Sequence, residues 1–247
     1  MAGRNMVAIQ SESGRGALLR FIEGKPAADY APFRFFGWNA LEILVADVNA
    51  LPHKLKGSPF EILGMPRYLY PSGAIRAMQV RGPSNEFVYL TQINDFPEAQ
   101  YLPRATTFVD HLFIVILGSD NLERSGDFYE EHFDAKLGEP HEMRLTGVNV
   151  AFGLPIETKH KLAVLRLAGK SAIELDGFPK EAKHRTVMPG EIPPGIAMLG
   201  FEVDSLDKVK LPWRGPVVRH DAPIYNNRRS AVFVGPSGEW VELIEKA

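Results

Sequence analysis

The sequence predicts an α+β protein built from repeated βαβββ units, and three observations carry that prediction. First, the segment Gly82–Leu90 (GPSNEFVYL) recurs as Gly235–Leu243 (GPSGEWVEL), with Phe87 matched by the aromatic Trp240. Second, the opening Trp38–Leu51 (WNALEILVADVNAL) recurs as Ile196–Val209 (IAMLGFEVDSLDKV). In both openings an apolar strand ends at an acidic turn where a short helix begins. Third, Val109–Phe133 supplies another such opening. A period of this kind signals a fold made of one repeated supersecondary unit.

Each element follows from local chemistry. Gly-Pro-Ser followed by Asn or Gly is a tight turn, because Pro presets φ and Asn or Gly tolerates positive φ. Strands run into it from Ala74–Val80 and from Ser230–Val234, so both copies read as hairpins. Gly16–Glu23 (GALLRFIE) resembles Gly238–Glu245 (GEWVELIE), and Lys170–Asp176 (KSAIELD) is a plausible fourth copy. In the third opening His111–Leu117 is an apolar strand, and Asp120 or Asn121 can cap a helix bearing Leu122, Phe128, Tyr129 and Phe133 at helical spacing.

The units then fall in order. Met1–Pro32 gives two strands, and Phe36–Ile93 a full unit. Asn94–Thr107 is a linker, Phe108–Phe178 a second full unit, Pro179–Pro194 a Pro-rich connection, and Gly195–Ala247 a compact last unit. Two domains are expected, 1–100 and 101–247, each a pair of units. The first unit reads as the tail half of a repeat whose opening strand and helix are missing.

Composition narrows the function classes. The chain has 247 residues, 45% hydrophobic and 23% charged, enough to bury a core. Its 28 basic and 30 acidic residues give a net charge of −2, which argues against a nucleic-acid partner. No apolar run is long enough to span a bilayer, and residues 1–10 do not read as a secretory signal. With no cysteine, disulfides and thiolate chemistry are excluded, and a metal site must draw on His, Asp, Glu or Tyr. A cytoplasmic protein without membrane contact is expected, with a homodimer as the commonest assembly. Gly14–Leu19 is not a dinucleotide fingerprint, and neither a nucleophile elbow nor a phosphate-binding loop is present.

The repeated openings, the endings Phe87–Ile93 and Trp240–Glu245, and the helix Leu122–Gly138 (LERSGDFYEEHFDAKLG) resemble the vicinal-oxygen-chelate superfamily of glyoxalases, bleomycin-resistance proteins and extradiol dioxygenases. The resemblance implies units paired into curved mixed sheets around a cavity. It also implies a divalent ion held by first- and last-strand side chains, which stabilises an anion spread over adjacent substrate oxygens. Carried over residue by residue, it offers His111, Glu174 and Glu242 as ligands of Mn, Fe, Mg or Zn, with Glu242 and Glu174 as catalytic carboxylates. The fourth position falls at Met198 or Ala197, which are poor ligands. In the N-terminal half the matching positions, Asn39 or Ala40, Tyr89 and Arg20, form no cation site.

Each of these residues also has a plainer reading. His111 fits a satisfied histidine on an apolar strand. Glu242, on the face opposite Val241 and Leu243, lines either a cavity or solvent. Glu174 shares its face with Asp176. Tyr225 and Arg228 belong either to a solvated turn or to a clamp on a substrate carboxylate at a cavity mouth. The resemblance therefore implies a metal-assisted lyase, isomerase or dioxygenase-like enzyme acting on a small molecule. The alternative is a metal-free small-molecule binding or sequestering protein of the same fold. A scaffold of repeats with decayed sites is a third reading.

Overall fold

The computed structural model describes residues 4–25, 27 and 29–246. Its first two strands, β1 (Met6–Ile9) and β2 (Leu19–Ile22), form an antiparallel hairpin. The next unit is β3 (Gly37–Val45), a one-turn helix α1 (Leu51–Lys54), β4 (Glu61–Tyr68), β5 (Ile75–Arg81) and β6 (Phe87–Ile93). The third is β7 (Val109–Ser119), α2 (Leu122–His132), β8 (Lys136–Leu137), β9 (His141–Arg144), α3 (Thr146–Phe152), β10 (Lys159–Arg166) and β11 (Ala172–Gly177). The last is β12 (Met198–Val203), β13 (Val218–Arg219), β14 (Arg229–Val234) and β15 (Trp240–Glu245). Among the described residues no helix is long and apolar enough to cross a membrane.

The repeated turn is the same structure twice. Gly82 N–H donates to Glu86 O and Asn85 N–H to Gly82 O; Gly235 N–H donates to Glu239 O and Gly238 N–H to Gly235 O. Asn85 and Gly238 carry the positive φ, 66° and 81°, that the turn requires. At the start of α2, Asn121 rather than Asp120 is the cap, its Oδ1 accepting from Arg124 N–H at 3.0 Å.

Two expectations change. The last unit has no α-helix after its first strand; a single 3-10 turn, Leu206–Lys208, capped by Ser205, takes its place. The pairing of units also differs from a division at 100/101. The second and third units join through antiparallel pairing of β3 with β7 into one nine-stranded sheet, ordered β4-β5-β6-β3-β7-β11-β10-β8 with β9 on β10. The boundary thus falls inside a continuous sheet. The reason is the long apolar run of β7, whose backbone edge is satisfied by β3 on one side and β11 on the other. The first and fourth units face each other instead, through side chains of β2 and β15.

The main core lies between the nine-stranded sheet and the four-stranded sheet β12-β15-β14-β13. Trp38, Leu117, Leu165, Ile173 and Leu175 pack there against Phe233, Val241 and Leu243. Tyr129 of α2 is buried in the same core, and its hydroxyl donates to Glu239 Oε1 at 2.8 Å. A second cluster joins Ala40, Phe87 and Ile116 of the large sheet to Phe33 and to Val148 of α3. No cap or helical period in the sequence marks α3. Its Val148 packs with Phe33 on the other face of the large sheet, the trough where the second and third units meet.

Candidate functional site

The repeat sets up equivalent positions on the last strand of each unit: Arg20, Tyr89, Glu174 and Glu242. Alternation along the strands turns each of them to the face on which paired units meet.

Glu242 sits at 2% exposure on β15. Its Oε2 accepts from Arg20 Nη2 at 2.7 Å; its Oε1 accepts from Tyr225 Oη at 2.8 Å and Ser230 Oγ at 3.0 Å. Arg20 Nη1 donates to the Tyr225 hydroxyl at 2.5 Å. Opposite Glu242 on β12 is Gly200, and a Cβ added there would lie 3.5 Å from Arg20 Nη2. The missing side chain of Gly200 leaves the space filled by the guanidinium. Burial lowers the Arg20 pKa, but Glu242 and Tyr225 more than offset this and raise it. Burial, then the Glu242 charge, push Tyr225 up to about 12, so it remains a phenol. His220 stacks on Tyr225 and meets Ser230 Oγ through Nε2 at 3.0 Å.

This polar cluster borders a cavity of about 1200 Å³ between the N-terminal hairpin and the four-stranded sheet. The remaining walls are mostly apolar, with Leu19, Leu41, Leu112, Met198 and Ile244 among them. Arg228 stands in its lining, with donors directed to the carbonyls of Tyr225 and Ile224 and to the Glu202 carboxylate. It braces the Tyr225 loop.

Glu174 lies elsewhere, on the trough face of the nine-stranded sheet. Register places Glu42 opposite Tyr89 and Glu174 opposite Ile116, with Asp176 two residues along. Burial raises the Glu174 pKa and pushes Asp176 well above the carboxylate range, where the Glu174 charge adds to the effect. Burial, then Glu174, raise Glu42 to about 8, although Thr91 Oγ donates to it at 2.6 Å. Asp176 Oδ1 is buried without a hydrogen-bond partner. The imidazole that acts on Glu174, against the effect of burial, is that of His141, not His111.

His111 is bound at a third place. Its Nδ1 is 2.8 Å from Asp110 Oδ1, and Gly16 approaches it so closely that an added Cβ would clash with the His111 side chain. The three expected metal ligands are thus parted among three environments. Among the described residues no group of three His, Asp or Glu side chains is placed to hold a metal ion. The donor set does not fit the ion that the resemblance implies. Glu242 has both oxygens engaged, with a guanidinium lodged where a cation would approach. Of the expected residues, the structure brings together Glu242, Tyr225 and, at the rim, Arg228. Arg20, Ser230, His220 and Glu42 escaped notice as site residues. Arg20 had a usable signal, its alignment with Glu242.

No protein-family model and no curated protein matches the sequence. Solved structures do match. One point variant of glyoxalase I from Zea mays superposes with a TM-score of 0.58 at 17% identity, over 98% of this chain and 79% of that one. A second variant of the same protein gives 0.54 at 20% identity, over 85% and 67%. A candidate dioxygenase from Bacillus subtilis gives 0.58 at 12% identity, over 98% and 73%. The fold is the one these structures share, mixed sheets built from βαβββ modules.

Proposed function

We propose that this chain binds a largely apolar small molecule, without a metal, in the cavity between the N-terminal hairpin and the four-stranded sheet. The observation that carries this reading is the closed Arg20–Tyr225–Glu242 cluster beside about 1200 Å³ of mainly apolar space. A mostly apolar pocket with a few convergent polar groups is the usual form of a small-molecule site. The cluster carries no net charge, since the guanidinium and carboxylate cancel. It suits a neutral ligand whose carbonyl or hydroxyl oxygen accepts from the Arg20 guanidinium. The metal-assisted lyase, isomerase or dioxygenase reading receives no support from the ligand geometry. Glu242 as a catalytic base receives none either, because its oxygens already accept three hydrogen bonds.

An environment-sensitive naphthalene dye titrated into the protein tests this reading. Saturable binding at one dye per chain is expected, to be displaced by apolar ketones and phenols. Gly200→Leu, which places bulk beside Arg20, should abolish it while leaving the circular dichroism spectrum intact. Dye binding that Gly200→Leu does not alter would place the ligand elsewhere and end the proposal.

A further inference from the structure

Asp110 is the most heavily hydrogen-bonded carboxylate among the described residues. Its Oδ1 accepts from Ser13 Oγ at 2.6 Å, from Ser11 Oγ at 3.3 Å and from His111 Nδ1 at 2.8 Å. Its Oδ2 accepts from Arg15 Nη2 at 2.9 Å, Thr106 N–H at 2.6 Å and Thr106 Oγ1 at 2.9 Å. Burial opposes its ionisation, but the bonds from Ser13, Thr106, His111 and Arg15 outweigh burial and hold the carboxyl well below its ordinary range.

This arrangement fixes the imidazole. An ionised carboxylate can only accept, so the proton of neutral His111 resides on Nδ1. In the neutral ring Nε2 is then the acceptor. Among the described residues no protein group hydrogen-bonds to it, and it is not among the buried polar atoms left without a partner. The His111 ring lines a cavity of about 630 Å³, separate from the one described above, with Gly16 on the border of both.

The other polar walls of this cavity are chiefly cationic. Arg15, Arg104 and Lys170 line it together with Thr106 and Ser171, and Asp95 is the one acidic lining residue. Asp95 is 97% exposed and reaches Arg104 only at 3.8 Å. The Arg15 charge is answered by Asp110 at 2.9 Å and Arg104 faces Asp95 at 3.8 Å, which leaves one positive charge in excess, that of Lys170, with no salt bridge among the described residues. Lys170 holds a φ of 63°, a conformation unusual for a residue with a side chain, and its Nζ reaches toward Gln100 O at 3.4 Å.

We infer that this cavity is a binding site for a small oxyanion that also carries a hydroxyl group, such as a phosphate or an α-hydroxycarboxylate. Arg104 and Lys170 hold the anionic oxygens. The Nε2 lone pair of His111 accepts the hydroxyl proton in a hydrogen bond, and Asp110 acts as the positioning residue that holds the ring proton on Nδ1. The cluster of the larger cavity has no part in it, so the two proposals stand or fall separately.

Long-range proton–nitrogen correlation spectra of histidine-labelled full-length protein test the inference, with His111 assigned through His111→Gln. The free protein should show His111 as the Nδ1–H tautomer. Inorganic phosphate and glycolate are titrated in separate arms, and a saturable shift of His111 Nε2 in either arm supports the site and names the preferred anion. Arg104→Ala and Lys170→Gly should each weaken that binding about tenfold, as loss of a charged hydrogen-bond donor does. Lys170→Gly relieves the backbone at a positive-φ position, so the folded state should survive that change. The inference is overturned by an Nε2–H tautomer in the free protein. It is overturned equally if neither anion produces a saturable shift, or if the shift is indifferent to both substitutions.

Discussion

Arg20 Nη2 lies 2.7 Å from Glu242 Oε2, although 222 residues separate them, and the two occupy equivalent positions on the last strands of the first and fourth units. The repeat thus places at one pseudo-symmetric pair of positions a cation and the anion that neutralises it. At this pair of positions the chain supplies its own positive charge.

Removing one partner from this pair leaves a charge buried beside apolar side chains. Arg20→Leu should lower stability by about 3–5 kcal/mol. The double variant Arg20→Leu, Glu242→Leu should recover a large part of that loss, since no charge is stranded. Urea denaturation of the four species in a double-mutant cycle measures the coupling. Strictly additive losses would mean that the pair is not coupled in solution.

Glu42 gives the trough a distinct pH response. Its carboxyl is raised by burial, then by Glu174, from 4.5 to about 8 in the fold. The folded state therefore binds this proton more tightly than the unfolded chain. Its contribution to stability is complete below pH 4.5 and is lost as pH rises through that window toward 8. Raised values at Glu174 and Asp176 act in the same direction. Glu42→Gln keeps an oxygen to accept from Thr91 and removes the titration. Its stability should exceed that of the parent at pH 8 and depend less steeply on pH, by about 1.4 kcal/mol per pH unit at most. Equilibrium unfolding at several pH values tests this, and an unchanged slope in the variant would count against it.

The separation of His111, Glu174 and Glu242 predicts that they behave independently toward metal. Elemental analysis of protein purified without chelator, then loaded with Mn²⁺, Fe²⁺ or Zn²⁺, should show no stoichiometric ion whose retention depends on all three. A metal lost alike in His111→Ala, Glu174→Ala and Glu242→Ala would show that the three side chains converge in solution.

Much of the fold is legible in the sequence because its signals are local. Period-two alternation marks the strands Phe87–Ile93 and Trp240–Glu245 with the bounds that the structure gives them. Gly-Pro-Ser-Asn and Gly-Pro-Ser-Gly specify their turns through φ preferences that act within four residues. The Asn121 cap and the buried face of α2 are of the same kind. The inward direction of Glu242 also follows from alternation, once the strand is known.

Which units meet is not written in any one segment. The join of β3 to β7, the packing of α3 and Phe33 on the large sheet, and the union of Arg20 with Glu242 all depend on contacts between distant stretches. A carboxylate on a strand reads the same whether its neighbour in space is a metal, a guanidinium or another carboxylate. The sequence determined the repeat, its strands and the residues that face inward. Only the tertiary structure decided their neighbours, because burial and charge pairing act through space between segments whose separation along the chain carries no record of their contact.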